Sequence, residues 1–132
     1  MKEYIFVLGR DHDLSLLEVV SYLKARSINN KILIYKNNIL LIELPNLDFK
    51  NMINDLGGTI KICEIISNNT KTIDNDFGKV SFDYTQKKLF FSLNNFSNSQ
   101  IADKVYNYFK KRFKDENIKF VSKKFNNYFS PL

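Results

Sequence analysis

The sequence predicts an α+β protein. Short runs of Ile, Val, Leu and aromatic residues, the length of strands, alternate with stretches whose apolar residues recur at helical spacing. Helix-start signals of the Ser-x-x-Glu kind stand before the helical stretches. A pair of asparagines separates two of the strand-like runs, as a tight hairpin requires. The chain has 132 residues, 44% of them hydrophobic and 26% charged, including 12 Phe and 7 Tyr. That is enough for a buried core in one ordinary domain, or in one small domain followed by a fragment of another.

Tyr4 to Leu8 is an apolar, β-branched and aromatic run closed by Gly9, and reads as a buried strand. Ser15 and Glu18 have capping-box spacing, with Leu14 and Val19 at the staple positions, so a helix is expected to begin there. Its apolar stripe would be Leu16, Val20 and Leu23, and its wet side Glu18, Ser21 and Lys24. Lys31 to Lys36 and Ile39 to Leu44 form a hairpin about Asn37-Asn38. A second helix carries Leu47, Phe49, Met52, Ile53 and Leu56, is capped by Asn46 or Asp48, and is stopped by Gly57-Gly58 in the C′ region. Thr59 to Ile66 is the fourth strand. The order βαββαβ within the first 66 residues is that of a ferredoxin-like domain, with helices on one face of a four-stranded antiparallel sheet.

Residues 67–78 are polar and turn-rich and read as a linker. Beyond them Lys88 to Leu93 reads as a strand. Ser97 and Gln100, flanked by Phe96 and Ile101, repeat the capping device, and Ile101, Val105, Tyr108 or Phe109 and Phe113 continue a helical stripe. Ile118 to Ser122 is a further strand. A strand, a helix and a strand do not complete a sheet, so residues 79–132 read as a partial domain.

The net charge of +6 is unevenly divided. Residues 1–66 contain eight Lys/Arg and eight Asp/Glu, whereas the rest contain twelve and six. Lys110 to Lys124 alone holds seven basic residues, two acidic ones and two Phe. Concentrated positive charge is the footprint of a nucleic-acid contact, because phosphate neutralisation supplies most sequence-independent affinity. A solvated helix face would explain the same run. Phe113, Phe120, Phe125, Tyr128 and Phe129 are either stacking platforms for single-stranded bases or core residues, and for Phe113 and Phe120 the core is the better reading.

Arg10-Asp11-His12-Asp13 is the one cluster with catalytic appearance, yet adjacent residues on a short loop rarely converge on one metal, and Asp before a helix answers its dipole. Cys63, the only cysteine, lies in an apolar strand and reads as a buried thiol; a disulfide framework and a Cys-based zinc site are excluded. GxGxxG between strand and helix, GxSxG, HExxH and a Walker lysine are all missing from the sequence. No catalytic residue and no metal site is therefore assigned. The apolar run near the N-terminus is too short for a signal peptide and no stretch approaches a membrane span, which points to the cytoplasm.

Leu8-Gly9-Arg10, Leu14-Ser15 with Glu18, and Leu56-Gly57-Gly58-Thr59-Ile60-Lys61-Ile62 together resemble the N-terminal region of archaeal-type tRNA guanosine N2-methyltransferases. The likeness covers the first 66 residues and extends from Lys88 into the basic helix and KFVSKKFNN, which look like the start of a THUMP domain. The resemblance implies a ferredoxin-like domain over 1–66, a linker over 67–78 and a partial THUMP-like segment over 79–132. It implies tRNA as partner, and S-adenosylmethionine as cofactor of a methyltransferase domain, with its Pro-Pro-Tyr motif, that this chain lacks. That domain would belong to the same protein or to a separate methyltransferase chain. The expected function is a tRNA-binding recognition module, with Lys110, Lys111, Arg112, Lys114, Lys119, Lys123 and Lys124 as phosphate contacts. Its rivals are one subunit of a split methyltransferase and a ferredoxin-like domain that binds a twin rather than RNA.

Overall fold

The structure, a computed structural model, describes residues 1–69, 71–81, 88–95 and 101–126. The chain divides into two compact units, Met1–Ile65 and Ile66–Pro131.

The first unit is built from β1 (Lys2–Leu8), α1 (His12–Ala25), β2 (Lys31–Lys36), β3 (Ile39–Leu44), α2 (Phe49–Asp55) and β4 (Thr59–Glu64). Its sheet is antiparallel with the order β2-β3-β1-β4. Alternation along the strands decides which residues meet the helices. Tyr4, Phe6 and Leu8 of β1 and Leu40, Ile42 and Leu44 of β3 are buried in one cluster with Val19 and Leu23 of α1 and Met52 of α2. Both helices therefore lie on the same face of the sheet.

The hairpin forms with the expected bounds, and Asn37 takes a φ of 53°, which its short side chain tolerates. Asp48 is the N-cap of α2, accepting from the Asn51 amide at 3.2 Å. The capping box of α1 does not form. Asp11 is the N-cap instead, taking the Leu14 amide at 3.1 Å, and the helix begins at His12. Ser15 is thereby carried inside the helix and is buried with Val19 and Leu23 at i, i+4 and i+8, whereas Leu14 and Val20 face outward. Glu18 reaches across to accept the Gly58 amide at 2.8 Å. At its other end α1 closes in a Schellman motif, with Ser27 at a φ of 53° and Ile28 N–H on the Leu23 carbonyl at 2.9 Å.

Gly57 and Gly58 are not a left-handed helix stop, since no described glycine has positive φ. Close approach is what Gly58 and Gly9 provide. A Cβ on Gly58 would stand 2.5 Å from Ser15 Oγ, and one on Gly9 2.9 Å from the Gly58 carbonyl, which accepts the Gly9 amide at 2.7 Å. Cys63 is half-buried and sits on the sheet face away from the helices, because its partner Ile5 alternates with the buried Tyr4 and Phe6.

The second unit contains α3 (Ile73–Gly78), β5 (Leu89–Asn95), α4 (Ile101–Asp115) and β6 (Phe120–Asn126). The stretch 67–78, read as a linker, carries α3, whose Ile73 and Phe77 are one turn apart and both buried. β5 and β6 pair in parallel, joined through α4. Phe113 is fully buried, its ring 5.3 Å from Phe91, 5.6 Å from Phe120 and 6.0 Å from Phe109. Asn117, at a φ of 55°, closes α4 in the same Schellman geometry, with Ile118 N–H on the Phe113 carbonyl at 2.9 Å. The capping box expected from Ser97 and Gln100, with Phe96, lies outside the described residues, as do Tyr128 and Phe129 and the side chain of Phe125. The molecule is thus α+β, with a four-stranded antiparallel sheet and several helices.

Candidate nucleic-acid interface

The basic residues on and beside β5, α4 and β6 fall mainly on two surfaces, sorted by the periods of the elements that carry them. A strand alternates every residue. Leu89, Phe91 and Leu93 of β5 and Phe120 and Ser122 of β6 are half-buried on the α4 side, and Ser122 Oγ meets Tyr106 Oη at 2.8 Å. Phe90 and Ser92 of β5, with Val121 and Lys123 of β6, are exposed on the opposite side.

That outward face is aromatic at its centre and cationic at its margins. Phe90 is 68% exposed and pairs with Val121, and Ser92 pairs with Lys123. Lys119 and Lys88 lie one step before Phe120 and Leu89, brought level by the Leu89 amide on the Lys119 carbonyl at 2.8 Å. Both lysines are exposed, and the described side chains of this face include no carboxylate. A Phe ring open to solvent between cationic side chains can stack on an unpaired base while the ammonium groups meet the flanking phosphates.

The second surface is the outer side of α4, where Lys104, Lys111 and Lys114 are exposed at i, i+7 and i+10. Its charge is mixed: a shallow depression there is lined by Asp74, Asp115 and Glu116 as well as Lys111. Lys110 is half-buried, with Nζ 5.1 Å from the centre of the Tyr106 ring in a cation–π contact.

Arg112 is engaged differently. Its guanidinium donates from Nη1 to the Phe77 carbonyl at 2.9 Å and from Nη2 to the Val80 carbonyl at 2.7 Å, with Nε 3.4 Å from Glu116. It fastens the end of α3 to α4. Of the seven residues singled out in the sequence, Lys119 and Lys123 share the outward sheet face, Lys111 and Lys114 the outer helix face, Lys110 stacks on Tyr106, and Arg112 bonds to backbone. Lys124 lies in β6 with its side chain outside the described part. Lys88 and Phe90 were not among the seven; the alternation LFFSL, read at period two, is the signal that places Phe90 opposite Phe91.

The Arg10-Asp11-His12-Asp13 loop is likewise local structure. Asp11 caps α1, His12 donates from Nδ1 to the Gly9 carbonyl at 2.7 Å, and Asp13 accepts from the Tyr35 hydroxyl at 2.7 Å. The hydrogen bond to the Asp13 carboxylate pushes the Tyr35 phenol up to about 12. In the second unit the Asp76 carboxyl is held below its ordinary value by the hydroxyls of Ser67 and Thr72, each at 2.8 Å. Among the described residues no group of three or more His, Cys, Asp or Glu is placed to hold a metal ion, and no helix is long and apolar enough to cross a membrane. The sequence matches no known family and no curated protein.

Proposed function

We propose that the chain is a tRNA-recognition module, in which a ferredoxin-like domain is followed by a THUMP-like segment that grips the RNA backbone. It positions the tRNA for a modifying domain of the guanosine N2-methyltransferase kind, in the same protein or in a separate chain. The observation that carries this reading is the outward face of β5 and β6, where exposed Phe90 stands among Lys88, Lys119 and Lys123. The ferredoxin-like part is supported by the order βαββαβ and the strand order β2-β3-β1-β4.

Recognition by this face would rest on phosphate contacts and on stacking, with selectivity coming from RNA shape and unpaired bases rather than from base-edge reading. The described residues do not fit S-adenosylmethionine. The one glycine between a strand and a helix, Gly9, has its amide on the Gly58 carbonyl, and the loop lacks the further glycines a nucleotide cradle uses. No chemical step is assigned to this chain.

The test is binding of the purified chain to unmodified bulk tRNA and to duplex DNA of equal charge, at low and at physiological salt. Salt-sensitive binding with preference for tRNA is expected. Equal affinity for the two polyanions, or no binding at low salt, overturns the reading.

A further inference from the structure

The sheet of the first unit has a second face, opposite α1 and α2, and its side chains are ordered in rows across the strands. The central row is Ile34, Leu41, Ile5 and Cys63, one from each strand in register. Ile34 is 54% exposed and the other three are half-buried. Two residues along in one direction the row is Lys36, Ile39, Val7 and Lys61. In the other direction, two residues along β3 and β1 and three along β2, where a bulge falls between Ile32 and Ile34, it is Lys31, Glu43 and Glu3. An apolar band thus lies between a cationic row and one that contains two adjacent carboxylates. No ion pair engages Glu3, Glu43, Lys36 or Lys61 among the described residues.

We propose that this face is an isologous interface with a second copy of the chain. A two-fold axis lying along the central row, across the strands, stacks the two sheets face to face with their strands reversed. The apolar row then covers itself. The row holding Lys36 and Lys61 lies over the partner's row holding Glu43 and Glu3, each lysine one strand spacing from a carboxylate, about 4.8 Å, within the reach of its side chain. Like-charge contact is confined to Lys31 and Lys36 at the edge strand. No other arrangement of two such faces superposes the apolar rows while bringing opposite charges together. A face of uniform sign would oppose self-association, whereas one with opposite signs at its two ends fixes its direction. Four strands of six residues offer roughly 400 Å² of flat area per copy, about half that of a standard interface, so the dimer is weak and concentration-dependent.

This inference is independent of the RNA reading, since it rests on the first unit alone. It also places Cys63 of one copy opposite Cys63 of the other. Sheets stacked about 10 Å apart hold the two thiols too far apart for a relaxed disulfide but within reach of a short bis-maleimide. The test is sedimentation of the full chain from about 1 to about 300 µM, a range suited to a small interface, together with bis-maleimide cross-linking. A monomer–dimer equilibrium and a cross-linked dimer through Cys63 are expected. The doubly substituted chains Lys36→Glu with Lys61→Glu, and Glu3→Lys with Glu43→Lys, should each dimerise at least tenfold more weakly. Mixing the two should restore association as a heterodimer. A wild-type chain monomeric at the highest concentration, a dimer that Cys63 does not cross-link, or charge-reversed chains that associate like the wild type overturns the proposal.

Discussion

Phe90→Ala separates the stacking and electrostatic contributions of the outward β5–β6 face. Phe90 is 68% exposed, so truncation leaves the fold intact and changes stability by no more than about 0.5 kcal/mol. If the ring stacks on a base, its loss costs about 1–3 kcal/mol of binding, a roughly 5- to 150-fold rise in Kd for tRNA. The salt dependence should not change, because no charge is removed. The pair Lys88→Ala and Lys119→Ala should do the converse. Each phosphate contact to a single strand contributes about 0.7 to the slope of log K against log salt, so two lysines account for about 1.4, or about sevenfold over a fourfold change in salt. The assay is fluorescence anisotropy with unmodified bulk tRNA at four or more salt concentrations, with circular dichroism as the check on folding. Unchanged affinity for Phe90→Ala together with an unchanged slope for the lysine pair would refute the assignment of this face. A Phe90→Ala variant that weakens only through its slope would refute stacking alone.

Two further outcomes follow from the hydrogen bonds. Arg112→Lys keeps the charge but loses the fork that reaches the Phe77 and Val80 carbonyls, so the second unit should lose about 2 kcal/mol and melt several degrees lower; an unchanged Tm with weakened RNA binding would instead make Arg112 a phosphate contact. Tyr35, whose phenol is raised to about 12 by Asp13, should stay protonated after an ordinary tyrosine has ionised. The contribution of this hydrogen bond to stability is complete below about pH 10 and disappears as pH rises through about 12. Asp13→Asn should bring the Tyr35 ring shifts, followed by NMR across alkaline pH, back toward the ordinary titration. A wild-type Tyr35 that already titrates near 10 would remove the carboxylate from the account.

The strands and helices of the first unit were legible wherever one local signal dominated. Asn37 admits a conformation that few residues tolerate, and the hairpin on either side of it has the bounds that the sequence predicts. Where two signals competed, spacing alone could not choose. Asp11 and Ser15 are both good caps one turn apart, and the tertiary approach of Gly58 to Ser15 decides between them, a contact 43 residues away in sequence. α3 is not legible in the sequence because its two apolar residues, Ile73 and Phe77, stand in an otherwise polar stretch and are buried by an aromatic partner on α4, Phe109, 5.3 Å from Phe77. The seven basic candidates stand out by density along the chain. Density ignores period, and the strand and helix periods separate residues that are close in sequence. The burial of Phe113 was legible because it continues the helical stripe of α4; the commitment of Arg112 to two carbonyls was not, because its partners are backbone atoms that any sequence supplies.

The two proposed surfaces use charge in different ways, and the division of charge along the chain is what allows both. In residues 1–66 the basic and acidic residues are equal in number, and on the open sheet face they are sorted into rows. Sorted charge without net charge gives orientation at short range and little long-range attraction. In the remainder the excess is six positive charges, and an excess attracts any polyanion at a distance. The same excess opposes dimerisation, since each copy brings +6. A contact of roughly 400 Å² has little free energy to set against that repulsion. RNA bound as proposed would remove the opposition by neutralising the second unit, and salt would remove it by screening. Self-association should therefore strengthen in the presence of tRNA even though the two surfaces lie in different units and share no residue.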